Sequence, residues 1–143
     1  MGGRHPVQAE HVNTVFIDTS AFYAFLDGTD PHHASASDAF SRVFAPGWEW
    51  VTTSYVVHET WALLQARLGM EAVEDWNTHL LPRCKIIWVD AGLHEVGALA
   101  CRGERERGLS LTDCVSMACM RRLGLQQALA FDRHFTRAGF RLP

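Results

Sequence analysis

The sequence predicts a three-layer α/β/α sandwich with a central, mostly parallel sheet of four to five strands. Its 143 residues, 48% of them apolar and 20% charged, are enough for one packed domain and argue against disorder. Short apolar runs, which are typical of strands buried on both faces, alternate with segments of helical periodicity. This alternation favours right-handed crossovers that place helices on both faces of a parallel sheet.

Four runs rich in apolar residues are predicted to be strands. They are Val15–Ile17, Trp48–Thr52, Ile86–Val89 and Ala128–Phe131. The second run, which contains Glu49, is placed nearer the sheet edge. A final segment at Phe140–Leu142 could add a fifth strand.

Helical segments fill the intervals between these strands. They cover residues 19–26, 32–45 and 54–68, the region around 73–80, a segment after residue 90 and residues 110–123, with a short last helix. Ser54 suits the N-cap of the third helix, and Gly69 follows its end. In the helix after residue 90, the spacing of Leu93, Val96 and Ala100 predicts that these three side chains are buried.

The N-terminal residues, the apolar runs and the cysteines indicate in which cellular compartment the protein is expected. Residues 1–13 contain no apolar block and are expected to be a disordered leader or a cloning remnant, not a secretory signal, which leaves 14–143 as a single domain. No apolar run approaches the roughly 18 residues that cross a bilayer, so no membrane contact is expected. The four cysteines show neither zinc-site spacing nor the density of a disulfide framework, and the expected compartment is the cytoplasm.

Four acidic residues are expected to meet at the carboxyl-terminal edge of the sheet, where open parallel sheets bind ligands. Asp18 and Asp132 follow predicted strands, and Glu59 and Asp113 lie in the early turns of predicted helices. Helix capping could explain Asp18, a capping box from Ser110 could explain Asp113, and a turn could explain Asp132. Glu59 is less easily explained, because its helical neighbours form an apolar stripe where a carboxylate needs a partner, a proton or a cation.

Convergence of these carboxylates predicts a divalent metal site. Two carboxylates about 6 Å apart repel by roughly 3 kcal/mol at an effective dielectric of 20, so four must raise their pKa values or bind a cation. Oxygen ligands favour Mg²⁺ or Mn²⁺ over zinc or copper. A hard ion with positions open to phosphate oxygens indicates phosphate-ester hydrolysis by a metal-bound water.

At these residues the sequence resembles the PIN-domain ribonucleases, particularly the VapC-like toxins of VapBC-type toxin–antitoxin pairs. The matching segments are Val15–Ala21, Thr52–Thr60, Leu109–Asp113 and Ala130–Phe135, followed by Gly139 and Phe140. They occur in the family's order on the same strand–helix frame. The resemblance covers nearly the whole chain and implies that residues 14–143 form a single PIN-like nuclease domain.

The resemblance implies a metal-dependent endoribonuclease with one or two Mg²⁺ or Mn²⁺ ions. Carried over by position, Asp18 and Asp113 would be the firmest metal ligands. Glu59 would bind metal or orient the attacking water, and Asp132 would support a second ion. The family also implies an RNA substrate, a small antitoxin partner and a homodimer.

Five further residues complete the expected site. Thr19 and Thr112, beside two of the acids, would hydrogen-bond the metal ligands. Ser116 stands where some family members have another acid, so this chain has one ligand fewer for a second ion. The net charge is −3, but residues 76–143 carry ten bases and six acids (+4) against three and ten (−7) in residues 1–75. Arg133 and Arg137, in the basic half, are candidates for contact with RNA phosphates.

The sequence also leaves other functions to be compared with that of a toxin nuclease. A haloacid-dehalogenase-like phosphatase needs a second acid where Ser20 stands and a catalytic lysine, and the single lysine, Lys85, matches no such position. A phospho-accepting signalling domain lacks the same groups. A non-catalytic PIN-fold module could retain the acids and hold RNA or a protein, and a PIN nuclease for RNA processing or DNA ends could act without an antitoxin.

Overall fold

A four-stranded parallel sheet organises the chain in the computed structural model, which describes residues 13–104 and 108–143. The strands are β1 (Asn13–Ile17), β2 (Trp48–Thr53), β3 (Cys84–Ile87) and β4 (Ala128–Leu129), in the spatial order β3-β2-β1-β4. The expected leader lies outside the described residues, except for Asn13, which begins β1. Helices cover the sheet, and the predicted α/β/α class is confirmed.

The helices occupy the intervals that the sequence predicts. They are α1 (Thr19–Leu26), α2 (His33–Val43), α3 (Ser54–Arg67), α4 (Met70–Asp75), α5 (Ala91–Glu104), α6 (Leu111–Leu123) and α7 (Arg133–Arg137). A π-helical turn and a short 3₁₀ turn lead from α4 into β3. The predicted fifth strand is reduced to a single bridge between Gln127 and Arg141.

The positions of β2 and β3 in the sheet are the reverse of those expected. β2 pairs with β1 on one side and β3 on the other, so β2 is an interior strand and β3 an edge strand. Trp50 and Val51 of β2 are accordingly buried. Trp88, predicted to lie within the third strand, follows its end and is 74% exposed. An apolar run identifies a strand but not its neighbours, which is why the sequence misplaced the two.

β1 and β4 form the topological switch point of the sheet. From β1 the chain adds β2 and β3 on one side, and it returns to place β4 on the other. A crevice opens beyond the carboxyl ends of the strands at such a point. The backbone N–H of Asp18 donates to the carbonyl of Leu129 at 3.1 Å, which joins the two strand ends there.

Close packing between α5 and α6 fixes the helix that carries Asp113. Leu93, Val115 and Cys119 form a small apolar cluster between these helices. A Cβ atom built on Gly97 would lie 2.4 Å from Cγ2 of Val115. Only a residue without a side chain fits there, so Gly97 sets the separation of the two helices.

The outer face of α5 differs from the prediction. Leu93 is buried as expected, but Ala100 is exposed and Val96 is 51% exposed. Leu99, one turn from Val96, is 66% exposed. The helix turns its Leu93 and Gly97 side to α6, so Val96 and Leu99 lie on a second, solvent-facing apolar surface that Leu93 does not share.

Two further expectations concern cysteines and membranes. All four cysteines lie within the described ranges, and none of them forms a disulfide. Across residues 13–104 and 108–143, none of the helices has the length and apolar character required to traverse a bilayer.

Candidate active site

Asp18 lies at the switch point, between β1 and the start of α1, and caps that helix. Its Oδ2 accepts hydrogen bonds from the backbone N–H of Ser20 at 3.1 Å and from the Ser20 hydroxyl at 2.6 Å. Its Oδ1 is buried and has no hydrogen-bond partner within the described part of the chain. Helix capping therefore explains one oxygen of this carboxylate and leaves the other unsatisfied, which is unusual for a buried polar atom.

The surroundings of Asp18 disfavour its charged form. Burial raises the pKa of this carboxyl from 3.8 to about 7, and the negative charges of Asp113 and Glu59 act in the same direction. The hydrogen bonds from Ser20 lower the pKa but do not offset the effect of burial. Burial, with a smaller contribution from the neighbouring acids, therefore favours a protonated Asp18 or one that is paired with a cation.

Asp113 occupies the first turn of α6, where it completes the predicted capping box. Its Oδ2 accepts from the Ser110 backbone N–H at 3.1 Å, and its own N–H donates to the Ser110 hydroxyl at 3.1 Å. Burial raises the pKa of Asp113, and the charges of Asp132 and Glu59 raise it further, against the hydrogen bonds from Ser110. The capping role and the electrostatic role coexist in this one side chain.

Glu59 and Asp132 complete the group of acids. Glu59 is half-buried on α3, and its charge acts on both Asp18 and Asp113. Asp132 caps α7 by accepting from the N–H of His134 at 2.9 Å. The charges of Asp113 and Glu59 act on Asp18, and those of Asp132 and Glu59 act on Asp113, so each acid has at least one acidic neighbour close enough to influence its pKa or to be influenced.

The donor set fits a hard divalent ion with an incomplete protein cage. Within residues 13–104 and 108–143, no three His, Cys, Asp or Glu side chains converge as a preformed ligand set. Mg²⁺ commonly binds through one or two carboxylates and keeps several waters, whereas structural zinc needs a closed set of sulfur and nitrogen ligands. The unpartnered Oδ1 of Asp18 supplies an available oxygen of the required kind.

The hydroxyl groups of the residues beside the acids have different contacts. The Thr19 hydroxyl lies 3.0 Å from the Thr60 hydroxyl and 3.4 Å from the Val56 carbonyl, so it joins α1 to α3. Thr112 lies on the groove that Glu59 also lines. Ser20, which the sequence leaves without an assigned role in the site, is the hydroxyl that holds Asp18. Its position two residues after a helix-capping Asp could have indicated this bond.

A groove of about 830 Å³ runs along α3 beside Glu59. The apolar helical neighbours of Glu59 line it, namely Tyr55, Ala62, Leu63 and Ala66. The buried face of α3 consists instead of Val56, Thr60 and Leu64. The expectation that Glu59 shares a core-facing stripe is therefore wrong, and this carboxylate stands on the wall of a groove that Thr112, next to Asp113, also lines.

Three other predicted positions lie near the acids in sequence. Ser116, one helical turn beyond Asp113, is fully buried, and its hydroxyl has no hydrogen-bond partner within the described part of the chain. Arg133 and Arg137 are exposed on α7, the helix that Asp132 caps. Their spacing of four residues places both guanidinium groups on one side of that helix.

Comparison with known proteins gives the family. The PIN-domain family model matches residues 15–141. The chain is 36% identical over 128 residues to the 23S rRNA-specific endonuclease VapC20 from two strains of Mycobacterium tuberculosis, CDC 1551 and H37Rv, with 88% of this chain and 95% of each relative covered. The crystal structure of Mycobacterium tuberculosis VapC20, a sarcin-ricin loop cleaving toxin, matches with a TM-score of 0.78 and 33% identity over 88% of this chain and 95% of that one. This chain therefore belongs to the PIN-domain family.

Proposed function

We propose that this protein is a metal-dependent endoribonuclease, which hydrolyses RNA phosphodiester bonds as the toxin of a type II toxin–antitoxin pair. The observation that carries the proposal is the buried, unpartnered Oδ1 of Asp18 beside Asp113 and Glu59. Such an arrangement destabilises a metal-free fold. A bound cation would remove that destabilisation, and the similarity to the endonuclease VapC20 supports nuclease activity.

The four acids would share the work of holding one or two Mg²⁺ or Mn²⁺ ions. Asp18 and Asp113 would be the main ligands, Glu59 would bind or orient the attacking water, and Asp132 would support a second ion. A bound ion of this kind lowers the pKa of water and stabilises the charge that develops on phosphate. Ser20, in the first turn of α1, fixes the orientation of the Asp18 carboxylate. Such hydrogen bonds to metal ligands raise metal affinity and activity.

Two threonines would act around this site in different ways. Thr112, on the groove beside Glu59, would hydrogen-bond a ligand or a water. Thr19 would act at one remove, because its hydroxyl contacts α3 and so positions the helix that carries Glu59. Because α3 is held against α1, the position of Glu59 relative to Asp18 would stay constant.

RNA is the substrate that the relatives favour. VapC20 is specific for 23S rRNA and cleaves the sarcin-ricin loop, so a ribosomal RNA loop is the first substrate to test for this chain. The exposed Arg133 and Arg137 would contact phosphates that flank the cleaved bond. Phosphate contacts of this kind position a nucleic acid without reading its sequence.

The proposed partners are a small antitoxin and a second copy of the chain, in the cytoplasm. Trp88, Val96 and Leu99 are 74%, 51% and 66% exposed, and exposed apolar surfaces of this kind mark protein interfaces. Because Val96 and Leu99 lie on one side of α5, a two-fold axis beside that helix would bury both copies of this surface. An antitoxin gene beside the gene for this chain would support the toxin assignment.

Cleavage of a mixed RNA pool tests the proposed activity. The wild-type chain should cleave with Mg²⁺ or Mn²⁺ and stop when EDTA is added, and Asp18→Asn and Asp113→Asn should lose at least about 100-fold in rate. Asp38→Asn, at an exposed position on α2, is the matched control and should cleave normally. Absence of metal-dependent cleavage would favour a PIN-fold binding module instead. Equal cleavage by all four proteins would show that Asp18 and Asp113 do not carry the reaction.

A further inference from the structure

A stacked pair of rings stands beside the acids and takes no part in the proposed chemistry. The imidazole of His32 and the ring of Phe131 have centroids 5.2 Å apart and planes that differ by 14°. Phe131 is half-buried and packs against the main core, whereas His32 is exposed. Since Phe131 covers one face of the imidazole, the opposite face is the one left to solvent.

Hydrogen bonds tie this pair to the site. Phe131 directly precedes Asp132, and its backbone N–H donates to the Ser20 hydroxyl at 3.0 Å. The same hydroxyl donates to Asp18. The ring pair is therefore attached to Asp132 through the chain and to Asp18 through Ser20, so its distance from the acids is fixed by the fold.

The loop that carries His32 is also held in place. The backbone N–H of His32 donates to Oδ1 of Asp30 at 2.8 Å, and Nδ1 of His33 lies 2.8 Å from the Ala24 carbonyl. These contacts anchor the start of α2 to the end of α1. A ring presented by such a loop loses little conformational entropy when a flat ligand stacks on it.

We propose that the open face of His32, supported from below by Phe131, is a stacking platform for the nucleobase next to the phosphodiester that the acids cleave. The proposal rests on the proposed function, because it supplies the neighbouring nucleotide of the same RNA. Single-stranded RNA is commonly bound through bases stacked on Phe, Tyr, Trp or His rings, independently of base identity. The platform binds an unpaired base, so it selects loops over duplexes.

RNA binding without cleavage tests this platform. In a full-length Asp113→Asn background, affinity for a fluorescein-labelled, mixed-sequence single-stranded RNA 12-mer is measured by anisotropy, alongside an abasic 12-mer. His32→Ala should weaken binding of the RNA about tenfold and leave the abasic strand unaffected. His32→Phe, which keeps a flat ring and removes the nitrogens, should bind within about twofold of the background. His79→Ala, exposed in the turn before β3 and therefore near the opposite sheet edge, is the control.

Each other outcome overturns the platform. Unchanged affinity in His32→Ala would show that the ring does not contact the RNA. Equal losses in His32→Ala and His32→Phe, also seen with the abasic strand, would show that His32 contacts phosphate. Cleavage by the wild-type chain is scored separately. A chain that cleaves RNA but ignores His32 refutes the platform alone, and one that binds through His32 but never cleaves refutes the nuclease alone.

Discussion

Ser20 donates a 2.6 Å hydrogen bond to Oδ2 of Asp18 and, through the same hydroxyl, accepts one of 3.0 Å from the backbone N–H of Phe131. One side chain thus fixes the orientation of the central carboxylate and joins the ends of β1 and β4. It also determines which oxygen of Asp18 is left without a partner. The geometry of the site therefore depends on a residue that need not contact either metal or RNA.

Loss of the Ser20 hydroxyl should impair cleavage more than stability. In Ser20→Ala, Asp18 loses the shorter of its two hydrogen bonds from Ser20 and keeps the one from the backbone N–H. We expect RNA cleavage to fall about 10- to 100-fold while the free energy of unfolding falls by about 1 kcal/mol. Cleavage rates and urea titrations measure the two effects. Ser41→Ala, which removes an exposed hydroxyl bonded to the Ser37 carbonyl, should leave cleavage unchanged. A Ser20→Ala protein with normal cleavage would contradict the orienting role.

The raised pKa of Asp18 predicts how the stability of the metal-free protein depends on pH. The unfolded chain releases this proton near pH 3.8, whereas the folded chain holds it to about pH 7. The folded state therefore binds more protons across that window, and the free energy of unfolding should fall as the pH rises from about 4 to 7. A pKa rise from 3.8 to about 7 corresponds to a fall of about 4 kcal/mol. Asp113, whose pKa is also raised, acts in the same direction.

Urea titrations in EDTA at a series of pH values measure this fall. Asp18→Asn cannot ionise, so its profile should be flatter than that of the wild type, and it should be the more stable protein at pH 8. Addition of Mn²⁺ at pH 8 should stabilise the wild type and leave Asp18→Asn nearly unaffected. Parallel pH profiles for the two proteins would show that Asp18 is ionised in the metal-free fold at neutral pH.

Gly97 offers a test of how α6 is positioned. In Gly97→Ala, the new methyl group would meet Cγ2 of Val115 at 2.4 Å and its Cα at 3.0 Å. Overpacking of this kind costs about 1–3 kcal/mol, more than the roughly 1 kcal/mol gained in helix propensity. We expect a net loss of stability and weaker cleavage, because α6 carries Asp113.

Gly103→Ala is the control on the same helix. Its Cβ would meet nothing within 4 Å, so this protein should be more stable by about 0.5–1 kcal/mol. Thermal unfolding compares the two variants with the wild type. Equal gains in both would mean that α5 and α6 can separate at no cost.

The exposed side of α5 predicts the oligomeric state. Leu99→Asp places a charge in the proposed interface, and sedimentation should change from a dimer to a folded monomer of about half the mass. Leu123→Asp, at another exposed apolar position on α6 (46% exposed), should remain dimeric. A wild-type monomer, or a Leu99→Asp dimer, would refute this interface.

The sequence predicted the strand ends and helix caps that carry Asp18, Asp113 and Asp132 better than it predicted their surroundings. Strand ends and caps are local signals, so Asp18, Asp132 and the Ser110 capping box of Asp113 could be located from neighbouring residues alone. The order of strands in the sheet is not local, and β2 and β3 were therefore interchanged. The apolar stripe containing Glu59 lines a groove because α3 buries a different side, and helical periodicity does not identify the face that meets the sheet.

The hydroxyl contacts were the least predictable part of the site. Thr19 and Ser20 are adjacent and chemically alike, yet one contacts α3 and the other holds Asp18. Which of the two does which depends on the rotation of the chain as it leaves β1. That rotation is set by tertiary packing, so it cannot be predicted from the types of the neighbouring residues.

Anomalous scattering from crystals of the wild-type protein soaked in Mn²⁺ at neutral pH tests the central idea most directly. We predict a Mn²⁺ peak within bonding distance of an Asp18 oxygen and an Asp113 oxygen, and its loss in Asp18→Asn crystals treated in the same way. A soak that places Mn²⁺ elsewhere in the crystal but not at these carboxylates would contradict the account.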